Sequence, residues 1–165
     1  MMRRLTHLGD ASTTIGVGLA GERAVMRRLT HLGDASTTIG IGLVAVAAGQ
    51  TRLGAAMLLA NVLSHVPVQL LKRVVARPRP SDAFGQPLAL VPLPDQFSFP
   101  SGHAAAATAV AMTAAIAHPW TASLALPLAA LVSYSRVALR VHHATDVLAG
   151  VILGLGGALA AAALL

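Results

Sequence analysis

Five apolar runs, at roughly residues 31–49, 54–72, 102–117, 121–137 and 145–165, dominate the chain. A helix that crosses a bilayer needs about 20 mostly apolar residues, with about 17 as a lower limit. Charged residues make up only 11% of the chain, against about 25% in a typical soluble domain. With 55% hydrophobic residues and a mean hydropathy of +0.70, too little polar surface remains to cover a water-soluble globule. The sequence therefore predicts an all-α integral membrane bundle of about five transmembrane helices. The first run is the weakest, because Asp34 and several Ser and Thr residues crowd its start.

Between the second and third runs lies VVARPRPSDAFGQPLALVPLPDQFSFP, a Pro-rich stretch that no helix could cross. The other connections are short: QTRL at 50–53, HPW at 118–120 and LRVHHA at 139–144. Short connections make antiparallel neighbours. The segments that follow the second and fourth helices then emerge on the same side of the membrane.

The chain carries twelve Lys and Arg residues and a formal charge of +6. Such a balance can attract nucleic acid, but long apolar runs and only 3% aromatic residues argue against that partner and for a bilayer. There is no cysteine, which excludes disulfides and thiolate metal sites.

The N-terminus repeats itself. MRRLTHLGDASTTIGVGL at 2–19 returns as MRRLTHLGDASTTIGIGL at 26–43, differing only at Val17 and Ile41. A solenoid needs about three or more units to bury a core, so two near-identical copies read as a recent duplication. On this reading residues 1–25 are an appended tail that need not be structural, and 26–165 are the membrane domain. Asp10 and its polar neighbours interrupt any apolar region that would make a secretory signal.

Polar residues cluster where membrane helices meet water. Asn61, His65, Gln69 and Lys72 lie within about 80° of one another on the second helix. Interhelical hydrogen bonding is the ordinary use of the first three. Lys72 instead begins a basic run with Arg73, Arg77 and Arg79, which as a simple anchor would mark a cytoplasmic end. The third helix opens with Pro100, Ser101, Gly102 and His103. Proline suits a helix start, and the free N–H groups there favour an anion. Gly102 permits close approach, Ser101 offers a hydroxyl and His103 a proton.

The fourth helix ends with Ser135 and Arg136, and the fifth begins near Asp146, on the face that carries Gly150 and Gly154. Small residues at that spacing let helices approach closely, so Asp146 points into the bundle and needs a partner. His142 sits one helical turn before it, on the same face; His143 is also within reach but rotated by about 100°. Spacing favours His142. Basic helix ends, a helix N-terminus and a His–Asp pair on one membrane face suit a phosphoryl group attacked by an oriented imidazole. No acidic cluster is available for magnesium or zinc, so the expected chemistry uses no metal or other cofactor.

These residues resemble the three signatures of the type 2 phosphatidic acid phosphatase (PAP2) superfamily. Lys72, six residues, then Arg79–Pro80 is similar to the first, PSGH at 100–103 to the second, and Ser135–Arg136 with His142 and Asp146 to the third, SRxxxxxHxxxD. The resemblance spans about residues 30–165. It implies a membrane hydrolase that removes phosphate from a lipid phosphate or diphosphate. The substrate would be a polyprenyl phosphate or diphosphate, a polyprenyl phospho-sugar, phosphatidic acid or phosphatidylglycerophosphate. It also implies roles. His142 would be the nucleophile that forms a phosphohistidine, and Asp146 would orient it. His103 would protonate the leaving group and then activate water. Lys72, Arg79, Arg136, Ser101 and the Gly102 N–H would bind phosphate oxygens. Arg73 and Arg77 fall off the signature and read as surface or headgroup contacts. The fuller family pattern has six spanning helices, and this chain reads as lacking the first.

Two other classes share parts of this pattern. Vanadium-dependent haloperoxidases have a similar site, but they are large and soluble, which the apolar runs oppose. A non-catalytic membrane protein would not need His103, His142 and Asp146 intact. On orientation, Arg3, Arg4, Arg23, Arg27 and Arg28 fall on the active-site side and only Arg52 on the other. Positive-inside logic then puts the site on the cytoplasmic face of the plasma membrane.

Overall fold

A computed structural model describes residues 21–93 and 95–165. Most of the predicted tail, residues 1–20, lies outside the described residues. Residues 21–30 form a first helix, α1, that runs without a break across the predicted boundary at 25/26. A 3-10 turn, His31–Gly33, follows, and the chain bends by 54° into α2, Ala35–Ala47. Then come α3 (Thr51–Val75), α4 (Gly102–Ala117), α5 (Ala122–Ala138) and α6 (Ala144–Leu164). Among the described residues there is no strand, only two isolated bridges, Pro78 with Phe97 and Ser81 with Pro87, that fold the Pro-rich loop on itself.

All five predicted runs are helical, and the chain is an integral membrane protein. α3, the Pro119–Ala138 segment containing α5, and α6 are each long and apolar enough to cross a bilayer, three rather than the five expected, and the bent α1–α2 pair makes a fourth if it is one broken span. The run expected as one helix over 31–49 is therefore a 3-10 turn at 31–33 and a helix over 35–47, bent apart at Asp34. Its polar start is the reason: a chain that places Asp34 and three nearby hydroxyls inside a continuous span would strand them in hydrocarbon. α4, with 16 residues, is shorter than the others. It is also the most enclosed. Its alanines from Ala104 to Ala107 and Ala109 are buried, and α3, α5 and α6 pack around it.

Small side chains set this packing. A Cβ on Gly150 would collide with the Ser101 carbonyl, and one on Gly154 with the Ala105 carbonyl. α6 therefore lies directly on the α4 backbone, as the Gly150–Gly154 spacing predicts. Outward, Val44, Val62, Val66, Leu124, Leu148, Ile152 and Leu159 are all more than half exposed. Such a girdle of large aliphatic side chains is stable only against lipid. At the loop end, Met26 of α1 packs with Leu139, Val141 and the 89–91 segment, which seats α1 over the mouth of the bundle.

Candidate active site

The α3 stripe does not bond to a neighbouring helix. His65 and Gln69 bond to each other at 2.8 Å, and the buried Asn61 amide nitrogen has no partner among the described residues. The stripe instead lines a cavity of about 510 Å³ between α2, α3 and α4. Its lower wall is apolar, with Ile39, Leu58, Val62 and Val66, while Lys72, Arg79, Gly102, His103, Arg136 and His142 close its upper end.

Five segments deliver those groups. Lys72 comes from the last turn of α3 and Arg79 from the loop after it; both are 8% exposed. Arg136 comes from the last turn of α5 and is 3% exposed. Its Nη1 donates to the Thr30 hydroxyl, and its buried Nε has no partner among the described residues. An unpaired buried guanidinium donor is costly unless a ligand takes it up. Arg79 is braced by donating Nη1 to the Val141 carbonyl at 2.8 Å.

One acid sits among these cations. Asp95 receives Lys72 Nζ at 2.6 Å and Arg79 Nη2 at 2.9 Å, and its backbone carbonyl accepts Arg79 Nε at 2.9 Å. Burial would raise its carboxyl pKa, but the Lys72 hydrogen bond and the Lys72 and Arg79 charges outweigh that and hold it below the ordinary value. Sequence reasoning missed Asp95. Its only signal was an acid in a loop between two basic motifs.

His142 lies in the α5–α6 turn, 3% exposed. Its Nδ1 donates to the Ser98 carbonyl at 2.5 Å and stands 3.9 Å from Asp146 Oδ2, beyond hydrogen-bond range. The expected His142–Asp146 hydrogen bond is therefore replaced by one to the backbone of the Pro-rich loop. That bond still fixes the tautomer, leaving Nε2 as a lone pair. Burial first, then the Arg136 and Arg79 charges, push the His142 pKa down to about 3 against the effect of the Ser98 bond, so the ring is neutral.

Asp146 is fully buried and otherwise engaged. Arg77 Nη1 donates to Oδ1 at 2.8 Å and the His143 backbone N–H to Oδ2 at 2.7 Å, while its own carbonyl accepts the Ser101 N–H at 2.9 Å. Arg77, expected at the surface, is thus the counter-ion of Asp146. His143 takes part through its backbone. Ser101 caps α4, accepting Ala104 N–H at 3.4 Å, and stands behind the cavity wall rather than on it. His103 Nε2 is paired with Asp34 Oδ1 at 2.8 Å. A second cavity of about 520 Å³, lined by Arg27, His31, Asp34 and the 90–93 segment, shares His103 and Arg136 with the first.

Lys72, Arg79 and Arg136 thus stand with His103 and His142 around one end of a largely apolar cavity. The family model described as "PAP2 superfamily" matches residues 49–165. The chain belongs to the PAP2 superfamily. It is 36% identical to an undecaprenyl-diphosphatase of Sulfolobus acidocaldarius over 62% of this chain and 50% of that protein. It is 40% identical to a decaprenylphosphoryl-5-phosphoribose phosphatase of Mycobacterium tuberculosis over 56% of this chain and 50% of the relative. The chain thus spans about half the length of these curated relatives.

Among solved structures, the transmembrane PAP2-type phosphatidylglycerolphosphate phosphatase of Bacillus subtilis superposes with a TM-score of 0.74 at 28% identity. That match covers 98% of this chain and 87% of the other. Aquifex aeolicus LpxE gives a TM-score of 0.75 at 23% identity, over 86% and 85%, which shows a shared fold. The PAP2 model begins at residue 49, so Asp34 and the α1–α2 bend lie outside the matched part.

Proposed function

We propose that this PAP2 protein hydrolyses a lipid phosphate or diphosphate through a phosphohistidine, without a metal ion. The observation that carries this reading is the cavity itself. Its polar head joins Lys72, Arg79 and Arg136 to His103 and His142, and its apolar body opens past Val62 and Val66, both more than half exposed, toward lipid. The cations bind the phosphate oxygens and offset charge as it builds in the transition state. His142 Nε2 attacks phosphorus, the P–O bond to the lipid breaks, and the leaving oxygen takes a proton from His103. Water then attacks the phosphohistidine, the N–P bond breaks, and the water proton returns to His103. The products are the lipid alcohol, or its monophosphate, and inorganic phosphate. Ser101 supports the cradle by fixing the α4 N-terminus beside Gly102, and Asp146 by fixing the start of α6 beneath His142.

The named relatives favour a polyprenyl substrate, because two of them act on polyprenyl-linked phosphates by name. Purified protein is assayed for phosphate release in excess chelator against undecaprenyl diphosphate, a decaprenyl phospho-sugar, phosphatidic acid and phosphatidylglycerophosphate. Fastest turnover on a polyprenyl compound is expected. Activity restored only by added divalent metal refutes the metal-free route, and no release from any of the four refutes the phosphatase reading.

We place the site on the cytoplasmic face of the plasma membrane. Arg23, Arg27, Arg28, Arg73, Arg77 and Arg140 share its end of the bundle and Arg52 stands at the other. Single cysteines at Ser81 and Gln50 are treated in intact cells with an impermeant thiol reagent. Labelling at position 50 is expected; labelling at position 81 alone reverses the assignment.

A further inference from the structure

We propose that Asp34 is the positioning residue of His103, an inference that rests on His103 being the acid and base of the reaction. Asp34 occupies the N-cap position of α2, where a carboxylate ordinarily accepts backbone N–H groups of the first turn. It makes no such bond. Both oxygens turn away from the helix instead, Oδ1 to His103 Nε2 and Oδ2 to His31 Nδ1, each at 2.8 Å. A cap contributes about 1 kcal/mol to a helix, and this one is forgone in favour of an imidazole 69 residues away in sequence.

The backbone around Asp34 is built for the same contact. A Cβ on Gly33 would lie 2.7 Å from Val132 Cγ1 and 3.0 Å from both His103 Cβ and its carbonyl oxygen. Glycine is the residue that lets the α1–α2 bend press against the start of α4. Thr30, one turn earlier, holds Arg136. The bend thus serves two groups at the head of the cavity.

The chemistry this supplies is specific. A carboxylate on Nε2 fixes that nitrogen as a donor, which leaves Nδ1 for the cavity that His103 lines, and its negative charge favours the imidazolium over the neutral ring. Nδ1 gives its proton to the leaving oxygen as the P–O bond breaks, and regains one from water as the N–P bond breaks. The proton cycles on one nitrogen. Asp34 holds the ring and its charge throughout and neither gains nor loses a proton.

The test compares wild type, Asp34→Asn, Asp34→Glu and His103→Ala, as full-length protein in detergent, on dioctanoyl phosphatidic acid and p-nitrophenyl phosphate. An alkoxide needs a proton to leave; p-nitrophenolate does not. In Asp34→Asn, kcat on phosphatidic acid is expected to fall about 10- to 100-fold with KM within about twofold. p-Nitrophenyl phosphate should give a burst equal to the enzyme present, then slow turnover as phosphohistidine waits for its base. Asp34→Glu should recover part of kcat. Asp34→Asn with wild-type kcat while His103→Ala is inactive overturns the inference alone. So does a burst that shrinks in step with the steady rate, which is the signature of fewer folded molecules. A fully active His103→Ala overturns instead the underlying assignment of His103 as the acid and base.

Discussion

Arg77 and Asp146 form an ion pair at 2.8 Å across 69 positions of sequence, with the carboxylate fully buried and the guanidinium 38% exposed. The pair ties the loop after α3 to the first turn of α6, and Thr145 accepts from the same Arg77 nitrogen at 2.7 Å. Removing Arg77 leaves a buried carboxylate with only the His143 N–H. Arg77→Ala should destabilise the protein by about 2 kcal/mol, below the full cost of orphaning a buried charge because Arg77 is partly solvated. Thermal unfolding in detergent measures it. The Arg77→Ala, Asp146→Asn double variant should lose less than the two single losses added together; strict additivity would show that the contact carries no coupling.

The two adjacent histidines differ in kind. His142 presents its ring to the cavity, whereas His143 contributes a backbone N–H to Asp146. A side-chain truncation leaves that N–H in place. His142→Ala and His103→Ala should each reduce phosphate release by more than about 10³-fold, while His143→Ala should stay within about threefold of wild type. Loss in His143→Ala equal to that in His142→Ala would reverse the assignment of the nucleophile.

Long apolar runs and signature spacings were legible in the sequence because each is local: a span shows its periodicity within twenty or so residues. What stayed hidden is long-range. The Ser98 carbonyl that orients His142 lies 44 positions away and, as backbone, has no residue-type signal. Arg77 and Asp95 sit in a loop without periodicity, so spacing could not pair them with Asp146 or with Lys72 and Arg79. Asp34 did carry a signal. An acid at the start of an apolar run is expensive in a membrane, which marks it as a residue with a partner, though not which one. The α1–α2 bend follows from the same cost.

Asp95 holds the two cations that a phosphate would use. Its carboxylate competes with the ligand for Lys72 and Arg79, so binding requires those contacts to be exchanged or shared. Asp95→Asn keeps the shape and removes the charge. Competitive inhibition by inorganic phosphate should tighten by roughly three- to tenfold. Weaker inhibition in the variant would mean that Asp95 chiefly positions the two cations.

His142 also makes stability depend on pH. The folded protein keeps the ring neutral, with its pKa pushed down to about 3, whereas the unfolded chain takes up a proton near the ordinary 6.5. Between these values the unfolded state binds more protons, so stability falls as pH falls below 6.5 and the contribution is complete above it. One proton difference changes stability by at most about 1.4 kcal/mol per pH unit. His142→Asn, which cannot titrate, should therefore lose less Tm than wild type between pH 7 and pH 5 in the same detergent. Parallel Tm curves for the two proteins would show that folding does not lower the His142 pKa.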